Sequence, residues 1–147
     1  LEEKYSIRLS GGVSSLTENC LQLYPAYKQA MMACEISKQT EESPIYSYHE
    51  LPLELLMAQL PSESKREFAN RVFQNCRSSD MPKWLCALNA FFKYNGSISK
   101  ASGELFIHKN TLQYRLNRIA EETGYDPRNV REALILYIAV MFYPKIQ

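Results

Sequence analysis

The 147 residues include only four cysteines and two histidines, and no two cysteines form a C-x-x-C pair. Cys20, Cys34, Cys76 and Cys86 stand alone, with His49 and His108 the only other soft ligands. No metal site is expected from such a set; four reduced, mostly buried thiols are. Long apolar runs are missing as well. The longest, Ala133 to Tyr143, falls well short of the ~20 residues that a bilayer-spanning helix needs, so no membrane is expected. The chain opens at Leu1 without a basic-then-apolar leader, and the expectation is a fragment from the C-terminal part of a longer cytoplasmic protein. Catalytic constellations are equally scarce. No Ser-His-Asp or Cys-His set stands out, and the carboxylates are scattered or form exposed pairs such as Glu41 with Glu42 and Glu121 with Glu122. The chain therefore reads as a non-enzyme without a cofactor.

What is present is an ordinary globular composition, 46% hydrophobic and 22% charged, enough for one good core or two small ones. The net charge of +1 hides an asymmetry. Residues 1–81 carry eight Lys and Arg against eleven Asp and Glu, a balance of −3; residues 82–147 carry nine against five, a balance of +4. That basic excess is modest for a nucleic-acid binder, so affinity would have to come from dimerisation as well as from phosphate contacts.

The basic half contains the stretch around which the chain is organised, Gly96 to Gly124. It reads as two short helices joined by a tight turn. Ser97 caps the first helix, which runs to Glu104 and carries the small Ala101 where a partner helix would come close. Leu105, Phe106 and Ile107 form the turn, and a second helix runs from about Lys109 to Thr123, stopped by Gly124. Leu112, Leu116, Ile119 and Thr123 recur at spacings of three and four and share one inward stripe. Asn110, Tyr114 and Asn117 point directly away from it, with Gln113 and Arg118 at its edges. Amide, phenol and guanidinium groups in that pattern are base-edge and phosphate chemistries.

These residues carry a family resemblance. The run ELFIHKNTLQYRLNRIAEETG resembles the C-terminal helix-turn-helix of the PucR and CdaR (purine catabolism and sugar-diacid) family of bacterial transcription regulators. Its hallmark is leucine-X-X-histidine-X-asparagine-threonine-leucine-X-tyrosine-arginine-leucine, which Leu105, His108, Asn110, Thr111, Leu112, Tyr114, Arg115 and Leu116 fill without a gap. The turn departs from the broader helix-turn-helix pattern, since Phe106 stands where glycine is usual. In this family a degenerate domain related to the diguanylate-cyclase (GGDEF) fold precedes the DNA-binding end, and its last portion resembles LSGGVSSL followed by YKQAMMACEIS. The resemblance implies a DNA-binding regulator of a catabolic operon, with a metabolite sensed upstream of this fragment.

In chain order, Tyr5 to Leu9 alternates as a strand running into a loop at Ser10, Gly11 and Gly12. A helix with Pro25 in its first turn follows, keeping Tyr27, Ala30, Met31 and Cys34 at helical spacing to about Lys38. Ile45 to Tyr48 is a second short strand. Gly11 and Gly12 could cradle a phosphate, but no lysine follows at P-loop spacing and no acidic pair for Mg²⁺ lies beside them, so a plain turn is expected. A leucine-rich helix begins near Pro52 and is broken by Pro61. A helix over Glu63 to Cys76 puts Phe68, Val72, Phe73 and Cys76 on one face. Another begins at Pro82 with a stripe of Trp84, Leu85, Leu88, Phe91 and Phe92, and ends at Asn95 and Gly96. Asp126 and Pro127 signal the closing helix, apolar nearly all round and suited either to the centre of the helical domain or to a second copy of the chain.

The expected architecture is mainly α: residues 1–57 as the C-terminal portion of an α/β domain (strand-helix-strand), and residues 58–147 as a helix-turn-helix DNA-binding domain. The expected DNA-contacting residues are Lys100, His108, Lys109, Asn110, Thr111, Gln113, Tyr114, Asn117 and Arg118. Among these, His108 serves either as a helix cap or as a phosphate donor, and Lys100, Lys109 and Arg118 hold phosphates. Arg115 is expected to pair with Glu104 or Glu122. The partners are double-stranded DNA and a second copy of the chain. Two alternatives stand beside this reading: a helical protein-interaction module, and a remnant of a nucleotide-cyclase-like enzyme.

Overall fold

The computed structural model describes residues 9–39 and 45–143. It falls into two compact units that part between Leu60 and Pro61.

The first unit is a strand, a helix and a strand. β1 (Gly11–Val13) pairs in parallel with β2 (Ile45–Ser47), Gly12 lying opposite Tyr46. The crossover between them is α1 (Leu23–Gln39), the connection that a parallel pair requires. β1 begins six residues beyond the expected strand start at Tyr5, on the glycines read as a turn; Tyr5 to Arg8 lie outside the described residues. Packing explains the difference. A Cβ on Gly12 would overlap the carbonyl oxygen of Ala30 and the amide nitrogen of Cys34, so the strand backbone lies directly on α1, a close approach only glycine permits. For the same reason α1 turns small residues inward. Ala26, Ala33 and Ser37 are buried, whereas Tyr27 and Met31, which keep helical spacing with Ala30 and Cys34, are exposed. After a 3₁₀ turn at Tyr48–Glu50, α2 (Pro52–Ala58) closes a small cluster of Ala33, Leu51 and Leu55.

The second unit is all helical: α3 (Ser62–Val72), α4 (Met81–Lys93), α5 (Ile98–Glu104), α6 (Lys109–Thr123) and α7 (Val130–Phe142). α3 ends four residues earlier than the apolar spacing suggested, at the Phe73 cap. The amphipathic pattern of α4 holds: Trp84, Ala87, Leu88, Ala90 and Phe91 are buried, and its end is closed by Asn95 and Gly96, both at positive φ. α7 starts later than Asp126 and Pro127 implied. Asn129 is its cap, accepting from the Arg131 amide at 3.1 Å. Asp126 and Pro127 instead occupy the first half of a turn closed by the Asn129 amide on the Asp126 carbonyl at 3.0 Å, where proline's fixed φ suits the second position.

α4 packs against α5, α6 and α7, and α3 against α7. The shared core includes Trp84, Leu88, Phe91, Ala101, Leu112, Leu116, Ile119 and Leu136. Edge-to-face aromatic pairs, Phe68 with Phe142, Phe73 with Tyr143 and Phe92 with Tyr137, fasten α7 in place. The cysteines depart from the expected burial. Cys20 and Cys86 are exposed and Cys34 and Cys76 half-buried, all as free thiols. Cys20 sits in a one-turn 3₁₀ helix and Cys86 off the buried stripe of α4, so neither reaches a core. No group of His, Cys, Asp and Glu among the described residues could hold a metal ion, and no described helix is long and apolar enough to cross a membrane.

Candidate nucleic-acid interface

The candidate interface is built from α5, the turn after it and α6. Ser97 caps α5 through its hydroxyl, and Ala101 is fully buried where α5 meets its neighbours. The turn then reverses the chain in four residues. Amides of Leu105, Phe106 and Ile107 donate to carbonyls of Ala101, Gly103 and Ser102 respectively. Leu105 and Ile107 pack against the core. Phe106 between them takes a left-handed backbone (φ +53°) and is 95% exposed.

α6 opens on His108, whose Nδ1 accepts from the Asn110 amide at 3.2 Å. The cap role expected for this histidine is thus present, and it fixes the tautomer: with Nδ1 accepting, a neutral ring carries its proton on Nε2, which remains a donor. At the far end Gly124 (φ +77°) closes the helix, its amide reaching the Ala120 carbonyl at 2.9 Å. Between the two caps Leu112, Leu116 and Ile119 are fully buried. Thr123 is half-buried and back-bonds to the Ile119 carbonyl.

Lys100, His108, Lys109, Asn110, Thr111, Gln113, Tyr114 and Asn117 are all exposed. Apart from the His108 cap, their side chains make no hydrogen bond or ion pair with any described residue. Arg118 differs. Its guanidinium donates to Glu121 at 2.8 Å and to Glu122 at 2.9 Å, and the hydrogen bond to Glu121 holds it still more firmly in its charged form.

The Arg118 pairing overturns the expectation for Arg115. Glu122 lies one turn beyond Arg118 but two turns beyond Arg115, so the nearer guanidinium takes it. Glu104 is taken by Lys93 at 3.1 Å, and hydrogen bonds from Tyr94 and then Lys93 hold its carboxyl below the usual range. Arg115 is left half-buried, with no ion pair among the described residues.

Two supports of the interface were not visible in sequence. Glu122 accepts from the Trp84 indole at 3.0 Å as well as from Arg118, which ties the end of α6 to α4. The Lys93–Glu104 pair ties the end of α5 to the same helix. Both depend on which helices become neighbours, and no local spacing announces that.

Residues 84–142 match the family model of the PucR C-terminal helix-turn-helix domain. The carbohydrate diacid regulator of Escherichia coli (strain K12) is 36% identical over 117 residues, covering 78% of this chain and 30% of that protein. The proline-responsive transcriptional activator PutR of Bacillus subtilis (strain 168) is 27% identical over 141 residues, 91% of this chain and 34% of the activator. The chain thus spans about a third of the length of these relatives. Among solved structures, the regulator of polyketide synthase expression from Bifidobacterium adolescentis aligns at a TM-score of 0.48 and 29% identity, over 80% of this chain and 49% of that one. Residues 84–142 are thus a PucR-type C-terminal helix-turn-helix domain, the domain that marks the PucR/CdaR regulators.

Proposed function

We propose that the chain binds double-stranded DNA as a regulator of a catabolic operon, with α6 in the major groove. The observation that carries this reading is the uncommitted front of α6. Asn110, Gln113, Tyr114 and Asn117 face water with their hydrogen-bonding groups unspent, while the back of the same helix is locked by leucines in the core. A rigid rod with free amides is what base-edge readout needs. In this reading the first two turns of α6 read bases. Lys100, Lys109 and Thr111 meet phosphates, as does the Nε2–H of His108. Arg118 can join them only by sharing its charge with Glu121 and Glu122.

The working form in this proposal is a cytoplasmic homodimer. One recognition helix with this modest basic excess binds weakly, and two joined helices gain the affinity that one lacks. Val130 and Leu134 lie one turn apart on α7 and are both exposed, which favours that helix as the contact between copies. Residues 1–57 are, in the same reading, the last portion of a degenerate cyclase-like α/β domain, and residues 58–147 the DNA-binding domain. Two parallel strands rarely stand alone, so β1 and β2 suit the edge of a wider sheet. A metabolite effector would act on that upstream part. Relatives named as regulators favour this assignment over an enzyme.

Selection of bound duplexes from a random pool with the full chain tests the proposal. A two-fold symmetric motif, bound with an affinity that falls steeply with salt, is the expected result. Enrichment of no sequence, together with salt-independent retention, would overturn it in favour of a helical interaction module.

A further inference from the structure

We infer that the Phe106 ring is itself a base-reading contact, packing against the C5 methyl of a thymine at the edge of the sequence that α6 reads. The inference rests on the DNA-binding reading above and extends it to a residue of the turn. Phe106 is disfavoured twice in the free protein. Its backbone sits in the left-handed region that a side chain with a Cβ rarely adopts, and its phenyl ring is 95% exposed. The left-handed backbone closes α5, the Phe106 and Ile107 amides reaching the Gly103 and Ser102 carbonyls, but glycine would do this with less strain, and the exposed ring adds nothing to the core that Leu105 and Ile107 already anchor. Strain of this kind gathers where a side chain is held ready for a ligand.

The surroundings decide which ligand. The turn lies between α5, which carries the exposed Lys100, and the first turn of α6, which carries the exposed His108, Lys109 and Asn110. From Ile98 to Thr123 the exposed large hydrophobics are Phe106 and Tyr114. An apolar protein partner would call for a contiguous patch. One ring set among cations and amides instead fits a surface that is polar and anionic with isolated methyl groups, which describes the major groove at A·T pairs.

The test uses the full chain and the duplex that the wild type selects from a random pool, with each thymine replaced in turn by deoxyuridine to remove only the methyl group. The expected result is one position per half-site at which the replacement weakens the wild type roughly three- to tenfold. Phe106→Gly and Phe106→Asn, both suited to a left-handed backbone, should show no further loss there while keeping the preferences set by Asn110 and Gln113. Equal wild-type affinity for thymine and deoxyuridine at every position overturns the inference, and so does a Phe106→Gly protein with the complete wild-type preference. In both cases the DNA-binding reading stands. Failure of the wild type to select any sequence overturns the two together. A Phe106→Gly protein that changes its oligomeric state but not its base preference assigns the ring to a second copy and equally overturns the inference.

Discussion

Trp84 and Glu122, 38 residues apart, meet across 3.0 Å, the indole Nε1–H donating to a carboxylate oxygen. The other oxygen of the same carboxylate accepts from Arg118 at 2.9 Å, and with 12% of its side chain exposed, Glu122 is the least solvated acid of the ion pairs. One side chain therefore sets α6 against α4. Glu122→Ala leaves a buried indole donor unmatched and should cost about 1–3 kcal/mol. Glu122→Gln, which can still accept from the indole, should recover part of that. Trp84 is the only tryptophan, so its fluorescence in a urea titration reports the change directly. An unchanged midpoint for Glu122→Ala would mean that the bond contributes nothing.

Base readers and phosphate holders should separate cleanly on α6 and α5. Asn110→Ala or Gln113→Ala should cost roughly 1–3 kcal/mol on the selected sequence and relax preference at one position. Lys100→Ala should weaken every DNA alike and flatten the dependence of affinity on salt. Anisotropy titrations with the selected and a scrambled duplex check both. Equal losses on both duplexes for Asn110→Ala would remove it from the base readers.

His108 holds two separable roles. Removing its Nδ1 cap with His108→Ala should destabilise α6 by about 1 kcal/mol, and His108→Asn, a good cap, should restore thermal stability. If Nε2 also reaches a phosphate, His108→Asn keeps the melting temperature yet still binds DNA less tightly. Wild-type affinity in that variant would leave the histidine as a cap alone.

Cys76 should be the slowest thiol to alkylate. Burial, and then the charge and hydrogen bonding of Glu122, push its pKa up to about 11, while Cys20 and Cys86 are exposed. The folded pKa lies above the ordinary value of 9.0, so the folded state prefers the protonated thiol. Its contribution to stability is complete below about pH 9 and is lost as the pH rises towards 11. Mass spectrometry after timed iodoacetamide treatment at pH 8 should show Cys20 and Cys86 modified first. Early labelling of Cys76 would contradict the burial and the Glu122 contact.

Gly12→Ala should cost roughly 1–3 kcal/mol, because its methyl group must displace backbone atoms of α1 instead of a flexible side chain. Hydrogen exchange at β1 and β2 should rise while that in α4 to α7 stays as it was. Unchanged protection of β1 would mean that the strand does not lie on α1 as described.

The helix pair was legible because its signals are local. Ser97, His108 and Gly124 mark ends through their own chemistry, and Leu112, Leu116 and Ile119 mark a face through spacing. β1 was not legible, since two glycines argue against a strand until the close approach of α1 supplies the reason. The cap of α7 was misplaced because Asp126 with Pro127 serves a turn as well as a helix start, and only the turn hydrogen bond from Asn129 decides between them. Arg115 and Arg118 both precede Glu122 on α6, and the ion pair goes to Arg118, one turn away, instead of Arg115, two turns away.

The parallel register has a consequence for how the molecule comes into being. Gly11 meets Ile45 only after all of α1 has been made and coiled, so the strands cannot zip from a hairpin and must wait for a long loop to close. In the helical unit α4 meets α5 and α5 meets α6 next in line, whereas α7 must come back to α3 from the far end of the unit. The α4–α6 stretch should therefore gain protection first in refolding, ahead of both the α3–α7 contact and the β1–β2 pairing.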